Sequence, residues 1–278
     1  MIRTPHVPAC VFALAAIVAL MAGCGGGGSG NGAGVIPNQP GTTASPQPSG
    51  PPVTDTPTPT PTVVPTAVPT APGSSTQTIV ASEGAVNGES NMFTPNEGDM
   101  STGGQGSPID GITCDATMSS VYHVHAFLGL YVNGKLVALP PGVGMDKPVR
   151  PVHGFVNFAK CFYHIHTHDS SGIVHIEDPN PNNVPVTQSL YKLQNFLDIW
   201  GVTADANHFG PFTGPVRVFT SGQVFRGNAP GATTPATDLT YFGADPNSVP
   251  LYSYEVVYVE VGPTFPTTLP NVHFYVNQ

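Results

Sequence analysis

Residues 162–178 carry four histidines, His164, His166, His168 and His175, and three acids, Asp169, Glu177 and Asp178. Only 9% of the whole chain is charged, so this concentration of titratable groups is local. His164, His166 and His168 alternate with Ile165 and Thr167. In a strand, alternate side chains share a face, so the three imidazoles are expected to point one way. Asp169-Ser170-Ser171-Gly172 is a turn signal, and residues 173–177 read as a returning strand. A two-residue loop at Ser170 and Ser171 sets His166 opposite His175 and His164 opposite Glu177, with Cβ atoms about 5 Å apart. A three-residue loop would turn the second strand over and disperse the group. Imidazoles and a carboxylate converging on one face form a site for a divalent transition metal. Copper, zinc and nickel suit imidazole, and the carboxylate admits iron or manganese; copper or zinc is the expected cofactor. The competing reading is a solvated, His-rich sheet face. Asp169 either opens the turn through its side chain or orients a ligating imidazole, and Glu177 is the candidate carboxylate ligand.

These side chains need a sheet to hold them. Residues 121–137 give the clearest strand pattern, with Tyr122, Val124, Ala126, Leu128, Leu130 and Val132 as an apolar core face. His123 and His125 lie on the other face, with Phe127, Gly129 and Tyr131. An HxH on one strand and an HxHxH on another is a spacing that can build one site from both, with solvent exposure the alternative for His123 and His125. Asn133-Gly134 predicts a hairpin returning through residues 135–139. Leu190, Leu193, Phe196, Leu197 and Trp200 recur at helical spacing, so residues 187–200 read as one amphipathic helix, capped by Thr187 or Ser189 and ended by Gly201. Residues 214–225 read as a hairpin turning at Ser221-Gly222, residues 251–261 as a long strand, and residues 272–276 as a short terminal strand. The expected fold is mainly β, a sandwich-like or barrel-like antiparallel sheet domain with one helix.

The formal net charge is −9 with only 8 Lys and Arg, which leaves no basic patch for nucleic acid. Residues 11–20 form an apolar segment behind Arg3, too short to span a bilayer, and end in Leu20-Met21-Ala22-Gly23-Cys24. This resembles the lipobox of bacterial lipoproteins. The resemblance implies cleavage after residue 23, lipid on Cys24, and an extracytoplasmic protein anchored to a membrane, the outer one if the cell is Gram-negative, since Gly25 follows the cysteine. Residues 24–77 are rich in Gly, Ser, Pro and Thr and read as a disordered tether. Residues 78–278 are expected to fold as one domain. Cys114 and Cys161 remain after processing. In an oxidising compartment they suggest a disulfide; thiolate ligation is the alternative, disfavoured because alternation puts Cys161 on the face opposite the histidines. No Gly-rich phosphate loop, GxSxG or HExxH is present.

The pieces together resemble a family of uncharacterised exported proteins of bacteria and archaea. The shared pattern is a Cys, an HxHA strand with a YVNGK-like hairpin, a second Cys before HTHDxSGxxHIE, and a helix ending FxDIWG. Here it matches Cys114, His123, His125, Ala126, residues 131–135, Cys161, residues 166–169, Ser171, Gly172, residues 175–177 and residues 196–201. In that family the first strand often reads HAHL; Phe127 stands in place of its histidine. The resemblance implies that these residues act as a unit and transfers no activity. The function expected is metal binding through His164, His166, His168 and His175, joined by His123 and His125. The alternatives are a metal-dependent hydrolase or oxidase at the same site, with Glu177 or Asp169 as general base, and a cell-surface interaction domain without metal.

Overall fold

A computed structural model describes residues 68–90, 92–93, 105–119, 121–149, 154–179, 189–223, 231 and 233–276. The signal segment, Cys24 and the expected tether as far as residue 67 lie outside the described residues. In chain order the first eight strands are β1 (Gly73–Ala81), β2 (Cys114–Asp115), β3 (Tyr122–Val132), β4 (Lys135–Val137), β5 (Met145–Asp146), β6 (Cys161–Tyr163), β7 (Ile165–His166) and β8 (Ile173–Asp178). Helix α1 (Leu193–Trp200) follows. Then come β9 (Ala204–Asp205), β10 (His208–Phe209), β11 (Phe212–Thr213), β12 (Val216–Thr220), β13 (Thr233–Thr234), β14 (Thr240–Gly243), β15 (Val256–Val261) and β16 (Thr268–Phe274).

The centre is a seven-stranded sheet in the order β14-β12-β15-β3-β8-β7, with β4 also on β3. Its 11-residue strand β3 is long because one edge serves two partners in succession. Residues 122–127 pair with β8 and residues 130–132 with β4. On the other edge β15 runs parallel to β3, and β1 likewise runs parallel to β16; the remaining ladders are antiparallel. The Asn133-Gly134 turn forms as expected, both residues taking left-handed backbone (φ 51° and 79°).

Both faces of this sheet are covered, giving a sandwich-like layering. Val124, Ala126, Leu128, Leu130 and Val132 pack with Leu193, Phe196, Leu197, Ile199 and Trp200 of α1. Phe127, Tyr131, Ile173 and Tyr258 on the opposite face pack with Leu269, Val272 and Phe274 of β16. The second face of β3 therefore has a core of its own, and the two histidines sit beside it.

Several boundaries differ from expectation. Helix α1 starts at Leu193 because the backbone just before it is already committed: Leu193 N–H donates to Val249 O (2.8 Å) and Leu251 N–H to Tyr191 O (2.9 Å). Ser189 does not cap it, since its hydroxyl donates to Tyr191 O, and Thr187 lies outside the described residues. Asn195 Oδ1 accepts from Lys192 N–H at the start, and Gly201 closes the end in left-handed conformation (φ 80°). The expected hairpin over 214–225 is corrected: β12 lies between β15 and β14, so both its edges are filled by distant segments. Residues 224–225 are outside the described residues. The strand over 251–261 is shortened to β15 because residues 251–255 turn, with Tyr254 at φ 58°. The last strand, β16, begins earlier than expected, and β1 begins at Gly73, ahead of the expected domain start at residue 78.

A disulfide joins Cys114 to Cys161, tying β2 to β6 just ahead of β7. Replacing both cysteines by serine is expected to lower stability by about 2–4 kcal/mol, by release of the 47-residue loop. Urea denaturation of the double variant against the oxidised parent measures it.

Candidate metal centre

Strand β8 lies between β3 and β7, and its register builds the site. His125 faces His175 and His123 faces Glu177 across β3–β8. His166 faces His175 across β7–β8. Directly opposed residues project from the same face, so His125, His175 and His166 form a row over three strands. After His166 the chain leaves the sheet, and His168 reaches the row from a loop. Its ring stacks on Phe155 (centroids 4.5 Å, interplanar angle 2°). Gly144, with φ 78°, lets the preceding loop lie on β7: a Cβ there would come within 2.4 Å of Ile165 O and 2.7 Å of His166 Cβ.

Five imidazoles gather into two triads that share His175. Within each, His123/His125/His175 and His166/His168/His175, the candidate ligand atoms lie within 4.8 Å of one another. In the first, Nε2 of His123 and Nε2 of His125 both approach Nδ1 of His175, at 3.0 and 3.1 Å. In the second, Nε2 of His166 lies 3.1 Å from Nε2 of His168. These spacings approach the ~3.3 Å edge of a tetrahedron of nitrogens held about 2.0–2.1 Å from zinc.

Hydrogen bonds set the tautomers in the second triad. His166 Nδ1 is 2.8 Å from Tyr163 O and His168 Nδ1 is 2.6 Å from Val156 O. A carbonyl only accepts, so each Nδ1 carries the proton and each Nε2 presents a bare lone pair. Two lone pairs then face each other at 3.1 Å. A cation between them turns that repulsion into coordination, and an outer carbonyl on Nδ1 is how ligating histidines are commonly held.

The group is electrically prepared for a cation. Burial pushes the His125 imidazole down to about 3, and holds His166 and His175 well below the ordinary range. His123 and His168 are lowered too, first by burial. All five are therefore neutral at pH 7, the form that ligates metal. Glu177 closes one side. Its Oε2 accepts from Ser119 N–H (2.6 Å), while Oε1 is buried without a hydrogen-bond partner. That oxygen lies 3.7 Å from His123 Nε2 and 3.9 Å from His166 Nε2. Burial raises the carboxyl to about 7, against the pull of Ser119 N–H.

Of the expected ligands, His123, His125, His166, His168 and His175 come together, and His164 does not. Its carbonyl accepts from Glu177 N–H (2.7 Å), so the backbone register is the expected one. Its ring turns instead to Asp115 Oδ2 (2.9 Å) and Tyr191 Oη (3.3 Å). The reason is a bend at residue 164: β6 is drawn into a separate sheet with β2 and β5, and alternation restarts at β7. Asp169 is not a ligand in this arrangement. Its two oxygens accept from Ser171 N–H and Gly84 N–H, so it shapes the turn and straps residue 84 to it. The backbone carbonyls of Tyr163 and Val156 and the ring of Phe155 were not foreseen. Carbonyls leave no mark in sequence, and Phe155 sits in a loop without periodicity.

The first triad opens on a cavity of about 410 Å³ lined by His123, His125, His175, Ser82, Glu83 and Tyr275. Comparison of the chain with protein-family models, curated proteins and solved structures returns no match.

These shifts set how metal-free protein responds to acid. The five imidazoles have folded values below their ordinary 6.5. The unfolded chain therefore takes up protons that the folded one refuses. That stability is fully present above pH 6.5 and is lost as pH falls toward about 3. Glu177 and Glu255, raised to about 7, and Glu260, raised to about 6, act oppositely: their contribution is present below 4.5 and lost as pH rises through those values. Asp198 is raised as well, first by burial, and the five imidazoles outnumber these four carboxyls. Urea titrations of chelator-treated protein are expected to show lower stability at pH 5 than at pH 7, with a shallower loss in His125→Phe.

Proposed function

We propose that this chain is a lipid-anchored, extracytoplasmic protein that binds a divalent transition metal, copper or zinc, through its buried histidine cluster. The observation that carries the reading is the pair of Nε2 lone pairs of His166 and His168, aimed at each other with both protons fixed on the far nitrogens. A cluster serving only as a hydrogen-bonded network would place a proton in that gap. Neutral imidazole suits copper and zinc, and Glu177 Oε1 lies within 4 Å of His123 Nε2 and His166 Nε2, where a bound cation would favour its ionised form.

A metal-dependent hydrolase or oxidase is the second reading, favoured by the cavity beside His123, His125 and His175. An open coordination position facing such a space is what metal catalysis requires. Glu177 is then the candidate general base, since the oxygens of Asp169 are both engaged by backbone N–H groups. An interaction domain without metal would keep its fold and partners after exhaustive chelation.

Protein purified without a His tag is expected to carry stoichiometric copper or zinc by elemental analysis, and His166→Ala with His175→Ala to abolish it. Undiminished metal in that double variant defeats the proposal. For the anchor, Cys24→Ser is expected to move the protein from the membrane fraction to the soluble fraction.

A further inference from the structure

The two triads are not equivalent, and their differences point to more than one ion. Among the described residues, no group of candidate ligand atoms within 4.8 Å takes in both the His123/His125 pair and the His166/His168 pair. A single ion bonded at about 2.0–2.1 Å to each nitrogen reaches only atoms within roughly 4.2 Å of one another. It would use one pair and leave the other idle. His175 is the residue common to both. Its ring lies parallel to His166 (5.3 Å, 4°) and edge-on to His168 (4.5 Å), while Nδ1 meets the two nitrogens of the outer pair.

We propose that the cluster binds two ions that share the imidazole of His175. This rests on the metal-binding reading above. The inner ion takes Nε2 of His166, Nε2 of His168 and one nitrogen of His175. The outer ion takes Nε2 of His123, Nε2 of His125 and Nδ1 of His175. When the second ion binds, the neutral His175 ring gives up its remaining N–H proton to solvent and becomes an imidazolate with a lone pair at each end. Glu177 stands beside both positions, its unpartnered Oε1 within 4 Å of one ligand from each triad (3.7 Å to His123 and 3.9 Å to His166). Its charge and that of the imidazolate offset part of the charge of two divalent ions.

The two positions differ in access. His166 and His168 are 0% and 3% exposed and do not line the cavity. The outer triad does line it, and the side chain of His123 is 32% exposed. The inner ion is therefore held, and the outer one exchanges with solvent or meets a small ligand in the cavity.

The test uses the full-length protein, stripped and titrated with copper(II) or zinc. Two equivalents are expected, one removed rapidly by chelator and one slowly. His123→Ala should keep only the slow equivalent, and His168→Ala only the fast one. With two copper(II) ions bound, coupling through the imidazolate should reduce the paramagnetic resonance signal below that of the one-ion form. Saturation of the unmodified protein at one equivalent overturns the two-ion proposal while leaving metal binding intact, and this outcome needs no variant to fold. Two equivalents without magnetic coupling overturn the shared imidazole. No bound metal at all would instead overturn the underlying reading.

Discussion

The site depends on a single register, the one that places β8 between β3 and β7 with His175 opposite both His125 and His166. Sheet side chains repeat every two residues, so a slip of one position in either ladder would carry His175 to the face occupied by α1. The chain guards against that slip from several directions. Ile165 and Ile176 are opposed, with both buried in the helix-side core, and Val124 faces Ile176 from the other strand. Moving the histidines would require moving these apolar side chains out of that core. The candidate ligands are thus aligned by the hydrophobic residues that alternate with them.

That alignment is bought at the expense of burial. Five imidazoles, four of them almost wholly hidden from solvent, occupy one end of a sheet face that continues through apolar side chains such as Phe127, Tyr131, Ile173 and Tyr258. An unsatisfied buried polar atom costs about 1–3 kcal/mol, and the arrangement holds two: Nδ1 of His125 and Oε1 of Glu177 both lack a hydrogen-bond partner. The facing lone pairs of His166 and His168 add repulsion. Other buried acids take at least one partner, as Glu177 does from Ser119 N–H. Glu255 accepts from Thr220 Oγ1 and Tyr252 N–H, and Glu260 takes Arg217 as a partner. Among the described residues other buried polar atoms also lack a partner, Glu260 Oε1 and Tyr254 Oη among them; the histidine cluster differs in setting two such atoms beside the facing lone pairs of His166 and His168.

Much of this was legible in the sequence because it rests on local rules. Period-two alternation set the core face of β3 and placed His123 and His125 off it; the Asn133-Gly134 pair fixed the β3–β4 hairpin; Gly201 ended the helix. Even the pairing of His166 with His175 followed from counting residues around Ser170 and Ser171. The misses have a common cause. His164 leaves the group because β6 is claimed by β2 and β5, a long-range choice that alternation within one segment does not contain. The hairpin proposed at 214–225 failed likewise, since β12 is sandwiched by strands from residues 240–243 and 256–261. The helix is shorter than its apolar spacing predicts because that spacing continues into residues whose backbone pairs with residues 249–251.

The asymmetry between the two histidine pairs follows from how each is delivered. His123 and His125 sit on one continuous strand, so both rings leave the sheet in the same direction, and the end of β3 brings His123 to the surface. His166 and His168 straddle the point where the chain leaves the sheet. Each is then secured by a carbonyl, Tyr163 O for one and Val156 O for the other; the loop at Gly144 lies over His166 and the ring of Phe155 over His168. A strand pair gives an accessible, less constrained set of donors; a strand-to-loop pair gives a buried set with fixed tautomers. Placing His175 between them joins an accessible pair of donors to a buried one on a single scaffold strand.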